Sequence, residues 1–191
     1  DGKTTTTTLI SEILKAAGYR VFVGGNIGRP LLPELGNMTE NDYAVVELSS
    51  FQLQTMTLSP DIAVVTNISP NHLNYHGTME EYVGAKENIF LHMRTGSRLV
   101  LNAKNSYTRD MASRAPEGTE LLFFGDGGDV CERDGYITAG GERIVSCSDI
   151  LLPGHHNIEN YMAAVGALRG IANADSVHAV ASTFTGVEHR C

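Results

Sequence analysis

Gly2-Lys3-Thr4 stands directly before a stretch of helical periodicity and reads as the end of a phosphate-binding loop. In such a loop, backbone N–H groups and the helix N-terminus face phosphate oxygens. The lysine adds a point charge and the threonine hydroxyl ligates Mg2+. The first glycine of the motif would precede residue 1, so the match is partial, and Gly-Lys-Thr also fits an ordinary helix start. Glu47 closes the apolar run Tyr43-Ala44-Val45-Val46. That puts a carboxylate at the C-terminal end of a strand, where open α/β sheets bind ligands and where NTPases place the acid that reaches Mg2+. A strand-terminal Glu facing solvent is the plain alternative. The polar cluster Ser49-Ser50-Phe51-Gln52 that follows counts against it.

Two further groups carry side chains of chemical interest. Thr66-Asn67-Ile68-Ser69-Pro70-Asn71-His72 follows another apolar run, and a neutral imidazole at His72 would ligate a metal, although a lone loop histidine is commonly just solvated. Lys86 lies beyond it with Ala85 and Phe90 as neighbours, on a helix face that the pattern turns inward. A lysine beside metal ions is repelled unless neutral or modified. In Leu152-Pro153-Gly154-His155-His156-Asn157-Ile158-Glu159-Asn160, the two asparagines are three residues apart at a helix start. Their amides share a side, where they either hydrogen-bond an adenine edge or cap the helix.

These residues need a frame. The spacing predicts helix over 4–17, with Gly18 as its stop. Short apolar runs predict strands over 19–23, 43–48, 61–67, 98–102 and 121–124, bounded by loop residues as in a parallel sheet covered on both faces. Helices fit over 78–93, where Thr78-Met79-Glu80-Glu81 has the form of a capping box, and over 105–115. The alternation predicts a doubly wound α/β domain with a mainly parallel sheet. Residues 130–148 break the rhythm, and their Asp134-Gly135 and Gly140-Gly141 turns predict a small β-hairpin lobe. A long helix over 158–172 follows, then a last helix capped by Asp175.

Composition narrows the function. The chain has 191 residues, 42% hydrophobic and 19% charged, with a net charge of −8. This is enough apolar content for a core, and too negative overall to attract nucleic acid or an anionic membrane. No apolar stretch approaches the ~20 residues of a membrane span, and no signal-peptide pattern is present. Cys131, Cys147 and Cys191 lack CxxC spacing and read as reduced thiols. The expectation is a soluble cytoplasmic protein. The sequence opens inside the phosphate-loop motif without Met and ends just past helical periodicity, so it reads as a segment of a longer polypeptide.

Taken together, in this order and at these distances, the four motifs resemble the Mur ligases and their folylpolyglutamate synthase relatives, over essentially the whole chain as the family's central ATP-binding domain. Gly24-Gly25-Asn26-Ile27-Gly28-Arg29-Pro30-Leu31-Leu32, Glu47-Leu48-Ser49-Ser50-Phe51-Gln52-Leu53 and Phe184-Thr185-Gly186-Val187-Glu188-His189-Arg190 are similar to the branch that adds D-glutamate to UDP-N-acetylmuramoyl-L-alanine. The resemblance implies ATP-dependent amide formation through an acyl phosphate, in peptidoglycan precursor synthesis. It implies that Gly2, Lys3, Thr4 and Thr5 cradle the β- and γ-phosphates and that Thr4 and Glu47 hold a first Mg2+. A second Mg2+ is assigned to His72 and a carbamate on Lys86, a change that turns a cation into an anion. Asn157 and Asn160 would lie near the adenine, Arg190 would reach the phosphates, and Asn26 and Ser49 would meet the muramoyl-alanine substrate. UDP and D-glutamate sites are implied on N- and C-terminal domains outside the sequence. Many relatives carry acids where Asn71 and Asn74 stand. Within the enzyme class the alternatives are another Mur ligase or a folylpolyglutamate synthase. Outside it, the alternative is a P-loop binding module, although Asn102-Ala103-Lys104-Asn105 does not match the Asn-Lys-x-Asp of guanine switches.

Overall fold

The computed structural model describes residues 2–28, 30–69 and 77–186. Helix α1 (Lys3–Ala16) buries Leu9, Ile13 and Leu14 along one side. It stops as expected at Gly18, whose N–H bonds the Lys15 carbonyl while the Tyr19 N–H reaches back to Leu14, the paired bonds of a Schellman ending. Strand β1 (Val21–Gly25) begins two residues later than predicted and pairs in parallel with β2 (Tyr43–Glu47), in the register Val21↔Tyr43 to Gly25↔Glu47.

The remaining strands form a second sheet in simple chain order: β3 (Ile62–Val65), β4 (Arg98–Asn102), β5 (Glu120–Phe124), β6 (Val130–Arg133), β7 (Tyr136–Ala139) and β8 (Glu142–Ser146). The first four run parallel and the last two pairings are antiparallel. The hairpin expected within 130–148 forms around Asp134-Gly135, where both residues have positive φ, 52° and 75°, as a tight hairpin turn requires. It gains a third strand and joins the main sheet through the Phe124↔Val130 pair, so it continues the sheet's edge.

Helices cover both faces. On one, α1, α5 (His155–Leu168) and α6 (Ala174–Ala181) enclose Val100, Leu122, Phe124, Val130 and Tyr161. On the other, α3 (Met79–Glu87) and α4 (Ser106–Met111) pack on Ala63, Val65, Leu99 and Leu101. The alternation of Leu99, Val100 and Leu101 between the two clusters is the period-2 pleat of a strand buried on both sides. A short helix, α2 (Ser50–Leu53), follows β2.

Several expected boundaries move. Helix α3 ends at Glu87, well short of residue 93, because Ile89, Phe90 and Met93 bond carbonyls three residues back and tighten the chain out of the α form. Helix α5 starts earlier than predicted and closes at Leu168, where the Arg98 guanidinium takes the carbonyls of Ala167 (3.0 Å) and Arg169 (2.7 Å). The cap of α6 is Asn173, whose Oδ1 accepts the Ser176 N–H at 3.0 Å. Asp175, the expected cap, lies in the first turn instead.

The parallel strands also divide between two sheets where one was expected. Between β2 and β3 lies a cavity of about 470 Å³, lined by Tyr43, Val45, Ile62 and Val64 among others and roofed by Ile10 and Leu14 of α1. Ala44 and Val46 of β2 are exposed as a result. Among the described residues, no helix is long and apolar enough to cross a membrane.

Candidate active site

Three of the chemical groups singled out in the sequence meet at one edge of the fold. Lys3 opens α1 and lines both the large cavity and a smaller one of about 130 Å³. Glu47, the last residue of β2, lines the large cavity and is 3% exposed. Lys86, on α3, lines the small one with Thr66, Asn67 and Ser69 from the segment after β3. Parallel strands place their C-terminal ends together, so the helix start, the carboxylate and the post-β3 segment are neighbours for a topological reason. His72 and Arg190, as well as Arg29, Asn71, Asn74 and Cys191, lie outside the described residues.

Lys86 is 8% exposed, with its amine 4.9 Å from the centre of the Tyr82 ring. Burial pushes its pKa down from the usual 10.5 to about 8, and the neighbouring charge of Lys3 pushes in the same direction. At neutral pH the amine therefore loses its proton far more readily than an exposed lysine. The sequence pattern placed Lys86 on an inward face, and the structure agrees. Thr78 caps α3 by accepting the Glu81 N–H at 3.2 Å.

The start of α1 is tied to α5. Thr6 donates its hydroxyl to Asn160 Oδ1 (3.3 Å), Asn160 Nδ2 donates to Asn157 Oδ1 (3.0 Å), and Asn157 Nδ2 donates to the Pro153 carbonyl (2.6 Å). A Cβ on Gly2 would sit 2.4 Å from Asn160 Oδ1, so only glycine fits there against the amide. The two asparagines do share a side, as their spacing predicts. They do not cap α5, whose N-cap is Gly154 without a side-chain bond. Both are less than a tenth exposed.

Gly25 has φ +94° and an added Cβ would lie 2.1 Å from the Glu47 carbonyl oxygen. This close approach lets Asn26 hold Glu47 twice: its N–H reaches the Glu47 carbonyl at 2.7 Å and its Nδ2 donates to Oε1 at 3.0 Å. Ser49 sits just beyond and forms a full capping box on α2. It accepts the Gln52 N–H at 3.3 Å, while Gln52 Oε1 takes both the Ser49 N–H and hydroxyl at 2.9 Å.

Sequence reasoning missed the Asn26–Glu47 contact, the Tyr82 ring beside Lys86 and two braces behind the post-β3 segment. Asn102 Nδ2 donates to the Thr66 carbonyl (2.9 Å) and Asn105 Nδ2 to the Ile68 carbonyl (2.7 Å). The available signals were the four-residue spacing of Tyr82 and Lys86 on one helix and the pair of asparagines at the end of β4 and just after it.

A single buried carboxylate such as Glu47 is a donor that suits Mg2+. Among the described residues, no three His, Cys, Asp or Glu side chains gather to hold an ion. Mg2+ is commonly held by one or two carboxylates while keeping water and substrate phosphates as its other ligands. Glu47 supplies one such buried carboxylate at the edge of the large cavity, which Lys3 also lines.

Comparison with known proteins gives the family of the chain. Residues 1–168 match the model of the Mur ligase middle domain. Among curated relatives, the chain is 48% identical over 198 residues to a UDP-N-acetylmuramoylalanine–D-glutamate ligase of Acetivibrio thermocellus, 46% identical over 196 residues to one of Clostridium kluyveri, and 43% identical over 194 residues to one of Clostridium perfringens. All of this chain is covered in each case, and it spans 42% of the length of those relatives. Solved structures of similar fold include MurF from Acinetobacter baumannii, with a TM-score of 0.76 and 21% identity over 98% of this chain and 45% of that one. The FolC protein of E. coli in complex with DHPP and ADP gives a TM-score of 0.65 and 18% identity, covering 97% of this chain and 55% of that one. The mixed α/β architecture with its mostly parallel sheet is shared with these proteins, and the match across residues 1–168 shows that the chain belongs to the Mur ligase family, through that family's middle domain.

Proposed function

We propose that this chain forms the ATP-handling part of a cytoplasmic ligase that joins D-glutamate to UDP-N-acetylmuramoyl-L-alanine. The observation that carries the reading is the meeting of Lys3, Glu47 and Lys86 at one strand-end edge, in a chain 43–48% identical to proteins named for that ligation.

In this reading the alanyl carboxylate of the acceptor attacks the γ-phosphorus of ATP and ADP leaves, giving an acyl phosphate. The D-glutamate amine then attacks the acyl carbon, phosphate leaves, and the amide remains. The protein's task is largely to position the reactants and to balance charge on crowded phosphate oxygens. Gly2, Lys3, Thr4 and Thr5 surround the β- and γ-phosphates, with Lys3 as the fixed cation. Thr4 and Glu47 would hold one Mg2+, and His72 with carbamylated Lys86 a second; the ions would supply charge neutralisation along the phosphate oxygens. Two facts support the carbamate. The amine of Lys86 is buried with a pKa of about 8, and carbamate formation needs a neutral amine. Its neighbour Lys3 favours an anion at that position.

Asn157 and Asn160 stand beside Gly2 through the Thr6 bond, which supports a nucleotide base near them, with Arg190 completing the phosphate contacts. Asn26 and Ser49 lie at the same end of β1 and β2 as Glu47, which supports placing the muramoyl-alanine end of the acceptor there.

The test is phosphate release from ATP by the full-length protein, with UDP-N-acetylmuramoyl-L-alanine as acceptor and a panel of amino acids. Release that depends on both acceptor and D-glutamate is the expected result. Release driven by another amino acid, or by a folate acceptor, would overturn the substrate assignment.

A further inference from the structure

The end of β1 is built around Glu47 in a way that the substrate contact expected of Asn26 does not explain. Gly25 and Glu47 are register partners in the parallel pair. At Gly25 the chain turns with φ +94°, and so near to β2 that a Cβ would lie 2.1 Å from the Glu47 carbonyl oxygen and 2.8 Å from Val46 Cγ1. Any other residue would drive the two strand ends apart. The approach lets the next residue grip Glu47 at two points: the Asn26 N–H on its carbonyl at 2.7 Å and the Asn26 amide on its carboxylate at 3.0 Å. The main-chain bond fixes where Asn26 stands relative to Glu47, and the side-chain bond then fixes the carboxylate's direction.

We propose that Asn26 is a positioning residue that orients the Glu47 carboxylate for Mg2+, and that Gly25 is glycine to permit it. The proposal rests on the reading of Glu47 as a Mg2+ ligand and goes beyond it in assigning what aims that ligand. A carboxylate that ligates a metal through one oxygen gains from a donor that holds the other, since rotation about its last bonds is otherwise free. A hydrogen bond to a charged group contributes more than one between neutral groups. Asn26 is well suited to this duty because it is neutral: a lysine in its place would compete with the metal for the carboxylate. Asn26 is itself exposed while Glu47 is buried, so the clamp sits at the boundary where an ion would enter from solvent.

The test compares the wild-type full-length protein with Asn26→Ala, Gly25→Ala and Glu47→Gln. Binding of Mn2+ is followed by electron paramagnetic resonance in the presence of a non-hydrolysable ATP analogue. Wild type binding the ion and Glu47→Gln losing it establishes the underlying reading; failure at that step refutes the Mg2+ role of Glu47 before Asn26 is examined. Given that step, Asn26→Ala weakens Mn2+ binding about 10- to 100-fold, the usual range for losing an outer partner of a ligand. Gly25→Ala weakens it similarly with both side chains present. The loss of Mn2+ affinity in Asn26→Ala is read with no acceptor present, so that any rise in acceptor KM from the proposed substrate contact is measured apart from it. Mn2+ affinity within about twofold of wild type, with only the acceptor KM raised, confines Asn26 to the substrate contact and overturns the proposal. A lowered melting temperature with unchanged Mn2+ binding makes the contact purely structural and overturns it as well.

Discussion

Lys3 and Lys86 line the same 130 Å³ cavity, and the charge of the first lowers the pKa of the second. Two cations that share a small space are a stability cost unless an anion lies between them or one is neutral. Phosphate oxygens or a carbamate on Lys86 would supply that anion. Without either, the fold keeps the strain at neutral pH.

That strain fixes a pH dependence. Lys86 titrates near 10.5 in an unfolded chain and at about 8 in the fold. Between those values the unfolded state binds more protons, so stability rises with pH across this window and the cost is fully present below about 8. Chemical denaturation of the full chain in CO2-free, metal-free buffer should show the rise, amounting to about 3 kcal/mol at most. Lys86→Met should flatten it and be the more stable protein at pH 7. Equal slopes for the two proteins would contradict the assigned burial.

Lys86→Ala should cost the full-length ligase more than about 100-fold in turnover, beyond what losing an outer-shell partner costs. Short-chain carboxylates added to the mutant should restore part of the activity by taking the place of the carbamate. An alanine mutant as active as wild type would rule out the modified lysine.

Glu47→Ala removes a carboxylate from the end of a strand whose packing depends on Tyr43 and Val45. It should reduce ATP-dependent ligation by two orders of magnitude or more while leaving the melting temperature near that of wild type, because the group serves transition-state charge and not the core. Normal turnover at ordinary Mg2+ would refute the role.

Ser49 is where sequence and structure give different emphases, and one substitution separates them. As the cap of α2 it should cost about 1 kcal/mol of stability when changed to alanine. As a substrate contact it should raise the acceptor KM. Its hydroxyl both donates to and accepts from Gln52, so we expect the stability loss alongside the raised acceptor KM. A large KM effect at unchanged stability would reverse that assignment.

The parts of the fold legible in the sequence were those with local causes. The apolar face of α1, the Thr78 cap and the buried run at 98–102 follow from periodicity and capping chemistry, and each falls within a few residues of its expected place. The burial of Lys86 was legible from its apolar neighbours Ala85 and Phe90, which are buried as well although Phe90 lies beyond the end of α3. The Asn26–Glu47 contact was not, since it joins residues 21 apart through a parallel register that no local pattern records. The same holds for the Asn157–Asn160 relation to Thr6, which depends on how α5 lies against α1. The division of the sheet between β2 and β3 was equally hidden, because strand order is a property of the assembled chain and each strand alone looks like any buried run.

The central claim is that Lys3, Glu47 and Lys86 surround one Mg2+·ATP site. The most direct measurement is a crystal structure of the full-length protein with Mg2+, bicarbonate and a non-hydrolysable ATP analogue. The expected result is a terminal phosphate within hydrogen-bonding distance of the Lys3 amine. It also includes a Mg2+ shared by that phosphate and Glu47, and added density for a carbamate on Lys86. A nucleotide bound with its phosphates away from the C-terminal ends of β2 and β3, and Glu47 free of metal, would contradict it.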